Sequence, residues 1–289
     1  MIVAFVGLGN MGGNMAANLV TAGYHVVGFD PAPAAVSMAR SSGVELASSG
    51  PACVREANVI FTMLPSAEYV DSVWAEIIPE AQKGAIIVDC STIDVTSSRA
   101  LHKMAQSAGL ESVDAPVSGG MSGARAGKLT FMVGGNEAAI EEIRPLLEAM
   151  GQKVVHCGGA GAGQAAKICN NMILGANIVA VSEAFALAEK LNLAPQSMFD
   201  VASTSTGQCW ALNNYCPIPG LVPTAPSNND YKPGAAATML LKDLKLAQDA
   251  AADVSAKIPL ASHVTQIYAD FVADGHGDKD FSAIIRALR

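Results

Sequence analysis

The residues best placed to do chemistry are Lys167 and Asn171, in the segment Gly158-Gly-Ala-Gly161-Ala-Gly163-Gln-Ala-Ala-Lys167-Ile-Cys-Asn-Asn171. They stand four apart where a glycine-rich stretch enters a long apolar helical pattern, so both project from one face of its first turns. A lysine there has two readings. Its aliphatic stem can snorkel to the surface, or it is an acid/base whose pKa, about 10.4 when unperturbed, is lowered by its surroundings. Upstream, Asp114-Ala-Pro-Val-Ser118-Gly119-Gly120 sets a hydroxyl beside two glycine N–H groups. That is either an ordinary Gly-Gly turn or a small nest for a carboxylate.

A third constellation concerns a dinucleotide. Gly7-Leu8-Gly9-Asn10-Met11-Gly12 directly follows the apolar run IVAFV and opens a helix at about Gly13. In that context Gly7 permits the tight turn, Gly9 lets backbone approach a pyrophosphate, and Gly12 lets helix and strand pack closely. The helix N-terminus offers free N–H donors to the phosphates. The next apolar run, HVVGFD, ends at Asp30, where a carboxylate reads the adenosine ribose hydroxyls and repels the extra phosphate of NADP. Leu64-Pro65 and Ser91-Thr92 fall at the carboxyl ends of two further runs, where ligands lie in an open α/β sheet, although Thr92 serves equally as a turn residue.

Positioning these groups requires two kinds of architecture. Strands are expected at Ile2–Val6, His25–Phe29, Val59–Met63, Ala85–Asp89, Glu111–Ala115 and Leu129–Val133. Helices at Asn14–Ala22, Ala34–Arg40, Ala67–Ile77 and Thr96–Ala108 alternate with them, which reads as an α/β, doubly wound parallel sheet of Rossmann type. From Gln164 onward the pattern is helical, over roughly 164–191, 195–203, 234–254, 258–274 and 280–287. We therefore expect a dinucleotide-binding domain over 1–162 and an all-α domain over 163–289. The segment 213–234 carries five prolines without periodicity; so long a loop is usually functional or disordered.

Composition narrows the function classes. The 289 residues are 51 % hydrophobic and 15 % charged, too apolar for a disordered chain. A net charge of −8 without a basic stripe argues against nucleic-acid binding. The apolar stretch Met172–Ala188 is broken by Asn177, Ser182 and Glu183, so a buried helix is expected there and not a membrane span. Six cysteines without a C-x-x-C pair, and an N-terminus without a basic leader, suggest free thiols in the cytoplasm. None of His25, His102, His156, His263 and His276 has a plausible metal-binding companion, so no metal site is expected and these histidines read as surface or packing residues.

Taken together, GLGNMGGNMAANL, DAPVSGG with the following GARAG, and G-x-x-G-x-G-x-x-x-K-x-x-x-N resemble, in order and spacing, the β-hydroxyacid dehydrogenase family. The resemblance covers essentially the whole chain. It implies NAD as cofactor, Lys167 as the catalytic group and Asn171 as the residue that orients substrate. By the same likeness, Ser118, Gly119 and Gly120 hold the substrate carboxylate, and Lys242 of MLLKDLKLA approaches nicotinamide and substrate. Trp210 and the proline-rich loop close the pocket. GQCWALNNYCPIPG and MLLKDLKLA narrow the likeness to members that oxidise 3-hydroxyisobutyrate in valine breakdown. Reduction of tartronate semialdehyde is the alternative, disfavoured by the apolar surroundings of Trp210. Imine reductases share the architecture but typically lack the lysine. A silent NAD-binding module would have that lysine replaced and basic segments added. The resemblance also implies a homodimer or homotetramer, with no nucleic-acid or membrane partner.

Overall fold

The computed structural model describes residues 1–289 and divides into two compact units, Met1–Lys167 and Ile168–Arg289. In the first, the elements are β1 (Ile2–Val6), α1 (Gly12–Thr21), β2 (His25–Phe29), α2 (Pro33–Ser41), β3 (Glu45–Leu46), α3 (Gly50–Val54), β4 (Val59–Thr62), α4 (Ala67–Ile77), β5 (Ile86–Asp89), α5 (Val95–Ser107), β6 (Glu111–Asp114), β7 (Val117–Ser118), α6 (Gly120–Arg125), β8 (Leu129–Gly135), α7 (Glu137–Met150) and β9 (Gly151–Gly158). The strand order is β3-β2-β1-β4-β5-β6-β8-β7, with β9 also on β8. Its first six members are parallel in the dinucleotide-binding order, with the reversal at β1 and β4.

Side-chain alternation explains the two-faced burial. Val3 and Phe5 of β1 join one apolar cluster with Met15 and Leu19 of α1, whereas Ala4 and Val6 join the other with Trp74 and Ile77 of α4. A sheet covered on both faces needs apolar residues at every position, hence the unbroken runs that betray its strands.

One part of the sheet departs from the all-parallel expectation. β8 runs antiparallel to both β6 and β7. The link 119–128 between β7 and β8 holds only the short α6, and a parallel crossover needs a dozen or more residues. The sequence reading also passed over α7, although Asn136 caps it by accepting from Ala138 N, and Ala139, Ile140, Ile143, Leu146 and Leu147 are buried at helical spacing. Pro145 within the pattern obscures it. β9, bounded by glycines, was likewise missed.

The second unit is helical: α8 (Ala162–Lys190, which begins in the first unit), α9 (Pro195–Thr204), α10 (Trp210–Asn213), α11 (Ala237–Asp253), α12 (Pro259–Phe271) and α13 (Ile285–Leu288). Helix α8 is long and apolar enough to cross a membrane by length and composition, but Ile178, Val179 and Phe185 pack into the core of this unit with Leu240, Leu244 and Tyr268. The proline-rich loop is tied down by its own polar groups. Tyr231 Oη donates to Pro217 O (2.7 Å), Ser227 Oγ to Cys216 O (2.9 Å), and Tyr215 Oη to the buried Asp280 (2.8 Å). All six cysteines are free, and burial pushes the Cys53 thiol up to about 12.

Candidate active site

The glycine turn after β1 is packed on one side and open on the other. A Cβ on Gly7, whose φ is +95°, would sit 2.3 Å from Met63 O, and one on Gly12 would sit 1.9 Å from Gly7 O. A Cβ on Gly9 would meet nothing within 4 Å, which leaves the cradle a pyrophosphate requires. Asp30 ties the end of β2 to that turn: Leu8 N donates to its Oδ2 (2.7 Å) and Ala32 N to its Oδ1 (2.8 Å). A carboxylate has about four lone-pair positions, so both oxygens keep capacity for ribose hydroxyls. These residues fit a dinucleotide. Gly7–Gly12 with the N-terminus of α1 would hold its phosphates and Asp30 its ribose.

The neighbouring strand ends are joined by a buried network. Leu64 N, beside Pro65, donates to Ser91 Oγ (2.8 Å), and Ser91 Oγ donates to Asp89 Oδ1 (2.6 Å). Thr62 Oγ donates to the same Asp89 oxygen (2.7 Å). Asp89 Oδ2 is buried without a hydrogen-bond partner, and desolvation pushes this carboxyl up to about 6 against those hydrogen bonds. Gln164 brackets Thr92 from either side, donating from Nε2 to Ser91 O (2.7 Å) and accepting from Ile93 N at Oε1 (3.2 Å).

Lys167 does not snorkel. It is 8 % exposed, and its Nζ donates to Val117 O at 2.8 Å, one residue before Ser118. Ser118 is half-buried at the end of β7, followed by Gly119 (φ +134°) and Gly120 (φ +61°), conformations that side chains rarely adopt. The amine and the Ser-Gly-Gly turn thus meet on one strand.

In the second unit Asn171 is 6 % exposed, and its Nδ2 donates to Asp243 Oδ2 at 2.5 Å. Lys242 Nζ lies 3.3 Å from Asp243 Oδ1. Asp243 was missed from sequence, although a signal existed: it occupies the buried face of α11 with Leu240, Leu244 and Ala247, where an acid needs a reason. Trp210 is not gathered with these groups. It is 52 % exposed and stacks on Tyr215, which stacks on Phe281, each pair at 4.9 Å between ring centroids. His102 corrects the surface-or-packing reading: both ring nitrogens are bonded, to Ser112 and Asp114.

A Rossmann-type sheet with an open glycine cradle, a strand-end aspartate and a buried lysine defines a dinucleotide-dependent oxidoreductase. Known proteins make this more specific. Residues 2–159 match the NAD-binding domain of 6-phosphogluconate dehydrogenase, and residues 161–288 match the family model described as the NAD-binding domain of NADP-dependent 3-hydroxyisobutyrate dehydrogenase. A probable 3-hydroxyisobutyrate dehydrogenase of Mycobacterium tuberculosis is 53 % identical over 99 % of this chain and 97 % of its own. An NAD-dependent L-serine dehydrogenase of Pseudomonas aeruginosa is 40 % identical over 98 % and 96 %. The solved structure of the Mycobacterium tuberculosis 3-hydroxyisobutyrate dehydrogenase with L-serine superposes with a TM-score of 0.96, covering 100 % of this chain and 99 % of that one at 53 % identity. The chain belongs to the 3-hydroxyisobutyrate dehydrogenase family, NAD-dependent enzymes that act on a CH–OH group.

Proposed function

We propose that the chain oxidises 3-hydroxyisobutyrate to methylmalonate semialdehyde, and that Lys167 moves the proton. The observation that carries this reading is the buried Lys167 amine bonded to the strand that bears Ser118. NAD, which Gly7–Gly12 and Asp30 would hold, would supply the hydride acceptor for the alcohol carbon. Lys167 keeps one N–H on Val117 O in either protonation state. As a neutral amine it has a lone pair left to take the hydroxyl proton, and as ammonium it stabilises oxyanion character on the substrate. Asn171, steadied by Asp243, holds the same oxygen in line, and Ser118 with Gly119 and Gly120 fixes the carboxylate. Lys242, beside Asp243, adds positive charge.

L-Serine is the second reading, favoured by the name of the Pseudomonas aeruginosa relative. Both molecules carry a primary alcohol two carbons from a carboxylate and differ in a methyl or an ammonium between them. The test follows NAD reduction at 340 nm with 3-hydroxyisobutyrate, L-serine and glycerate in parallel. The reading requires the highest kcat/KM on 3-hydroxyisobutyrate; preference for L-serine or glycerate reassigns the substrate, and inactivity on all three rejects the reading.

We also propose that the enzyme works as a homodimer or homotetramer in the cytoplasm. Ile173 and Leu187 stand exposed along α8, a 29-residue helix, and Leu191 just past its end, and a second copy of this chain would cover them. Light scattering should report a dimer or larger species, reduced by Leu187→Glu; a wild-type monomer at micromolar concentration excludes it.

A further inference from the structure

Asp114 and His102 lie outside every role assigned above, yet they converge on the start of the lysine-bearing helix. Asp114 ends β6 in register with Asp89 of β5 and is 2 % exposed. Its Oδ1 accepts from Gly161 N (2.8 Å) and its Oδ2 from Gln164 N (3.0 Å). Gln164 N belongs to the first turn of α8, where a helix has no partners of its own, and Gly161 N to the residue just before it. A strand-end carboxylate thus caps α8 from a distance, with the sign its dipole favours.

The carboxylate is embedded in backbone. A Cβ on Gly134 would sit 2.6 Å from Asp114 Oδ1, and one on Gly163 would sit 2.8 Å from its Oδ2. His102 completes the arrangement from α5. Its Nδ1 lies 2.8 Å from Ser112 Oγ and its Nε2 2.9 Å from Asp114 Oδ1. With the serine hydroxyl donating to Nδ1, the Nε2–H tautomer donates to the carboxylate, so one neutral histidine satisfies both partners. Gln164, whose amide Asp114 holds, reaches with its side chain to Ser91 O and Ile93 N. The first turn of α8 is therefore fixed at two places, and Lys167 follows Gln164 by three residues.

From this geometry we infer that His102 and Asp114 are a positioning pair: Ser112 sets the histidine tautomer, the histidine orients the carboxylate, and the carboxylate holds the helix turn that aims Lys167. The inference rests on Lys167 being the proton-transfer group. Small errors of aim at a reacting centre are costly, so the effect should appear in kcat. The histidine also lines an open cavity of about 680 Å³ with Arg99, Lys103 and Glu137.

The test compares His102→Leu, which removes the donor, with His102→Gln, whose amide can still donate to Asp114. In His102→Leu, kcat for the preferred alcohol should fall about 10-fold with KM changed less than about 2-fold. Deuterium exchange at the amides of 161–167 should rise about 10-fold, since a local opening controls it. His102→Gln should bring both quantities back to within about 3-fold of wild type. Ser112→Ala, a milder change should His102→Leu fail to fold, should move both in the same direction by about 3-fold. Unchanged exchange and kcat in His102→Leu, or in Ser112→Ala in its place, overturn the inference. So does a His102→Gln protein that behaves like His102→Leu, because packing and not the bond would then be at stake. The exchange measurement needs no substrate and decides this point even if Lys167 proves not to transfer the proton.

Discussion

Two buried aspartates, one in each unit, are treated in opposite ways. Asp280 is wholly buried, and each of its oxygens is satisfied. Tyr215 Oη, Gly234 N and Ala235 N donate to Oδ2, and Ser282 N and Ser282 Oγ donate to Oδ1. Asp89 collects the Thr62 hydroxyl and both the N–H and hydroxyl of Ser91 on Oδ1, while Oδ2 has no partner. Asp243, beside Asn171, meets the Asn171 amide with Oδ2 and the Lys242 ammonium with Oδ1, at 3.3 Å. The difference teaches how to separate structure from chemistry. Where a buried acid only pins a loop, every lone pair finds a donor, since an orphan costs about 1–3 kcal/mol. At Asp89, buried at the end of β5 beside the dinucleotide-binding turn's neighbouring strand ends, that cost is tolerated.

The sharpest break comes from removing chemistry without structure. Lys167→Ala should lower kcat by at least about 10²-fold and leave the dissociation constant for NAD nearly unchanged, since general acid–base contributions lie in that range. Stopped-flow turnover with NAD binding followed by fluorescence would separate the two, and near-normal turnover would remove the lysine from the mechanism. Asp280→Ala should do the reverse. It strands the Tyr215 hydroxyl and three backbone amides, so the protein should lose about 3–5 kcal/mol of stability. A melt lowered by roughly 10 °C with loosened proline-rich loop exchange checks this; an unchanged melt would contradict the pinning role.

How much of this could be read beforehand follows the same division. The parallel strands were legible because two-sided burial writes itself as IVAFV or VIFT, and the glycine turn because a Cβ has no room at Gly7 and Gly12. Lys167 and Asn171 stood out as polar groups on an apolar helix. What stayed hidden was anything defined by partners distant in sequence. Asp114 stands in the sequence only as the first letter of a serine-glycine motif, yet it accepts from amides 47 and 50 positions away. His102 passed as a packing residue because nothing near it in sequence marks Ser112 and Asp114 as its neighbours. The proline-rich loop had no periodicity to read, since order there comes from single hydrogen bonds, within the loop and to Asp280, and from isolated apolar residues such as Ile218 and Val222.

Asp89 offers the finer test. Its carboxyl is raised from 3.8 to about 6 mainly by burial, so folding favours the protonated form. The associated stability is complete below about pH 4 and is lost as pH climbs through 6, on the order of 3 kcal/mol if the full shift is realised. Asp89→Asn keeps the Oδ1 acceptor and removes the charge. Its melting temperature relative to wild type should therefore rise between pH 4.5 and 7.5, whereas a pH-independent difference would mean that Asp89 carries no such penalty.

The smallest effect belongs to the most exposed of these strand-end acids. Asp30 has spare lone pairs on both oxygens beyond the backbone bonds to Leu8 and Ala32. Asp30→Ala should weaken NAD and relieve repulsion of the NADP phosphate, shifting the NAD-to-NADP preference by about 10-fold in kcat/KM. Part of that loss will come from the glycine turn itself, because Leu8 N also loses its acceptor. Asp30→Asn separates the two, since an amide oxygen can still accept from Leu8 N while the negative charge is gone. If the asparagine variant keeps the wild-type preference, charge is not what selects the cofactor, and the aspartate serves the turn alone.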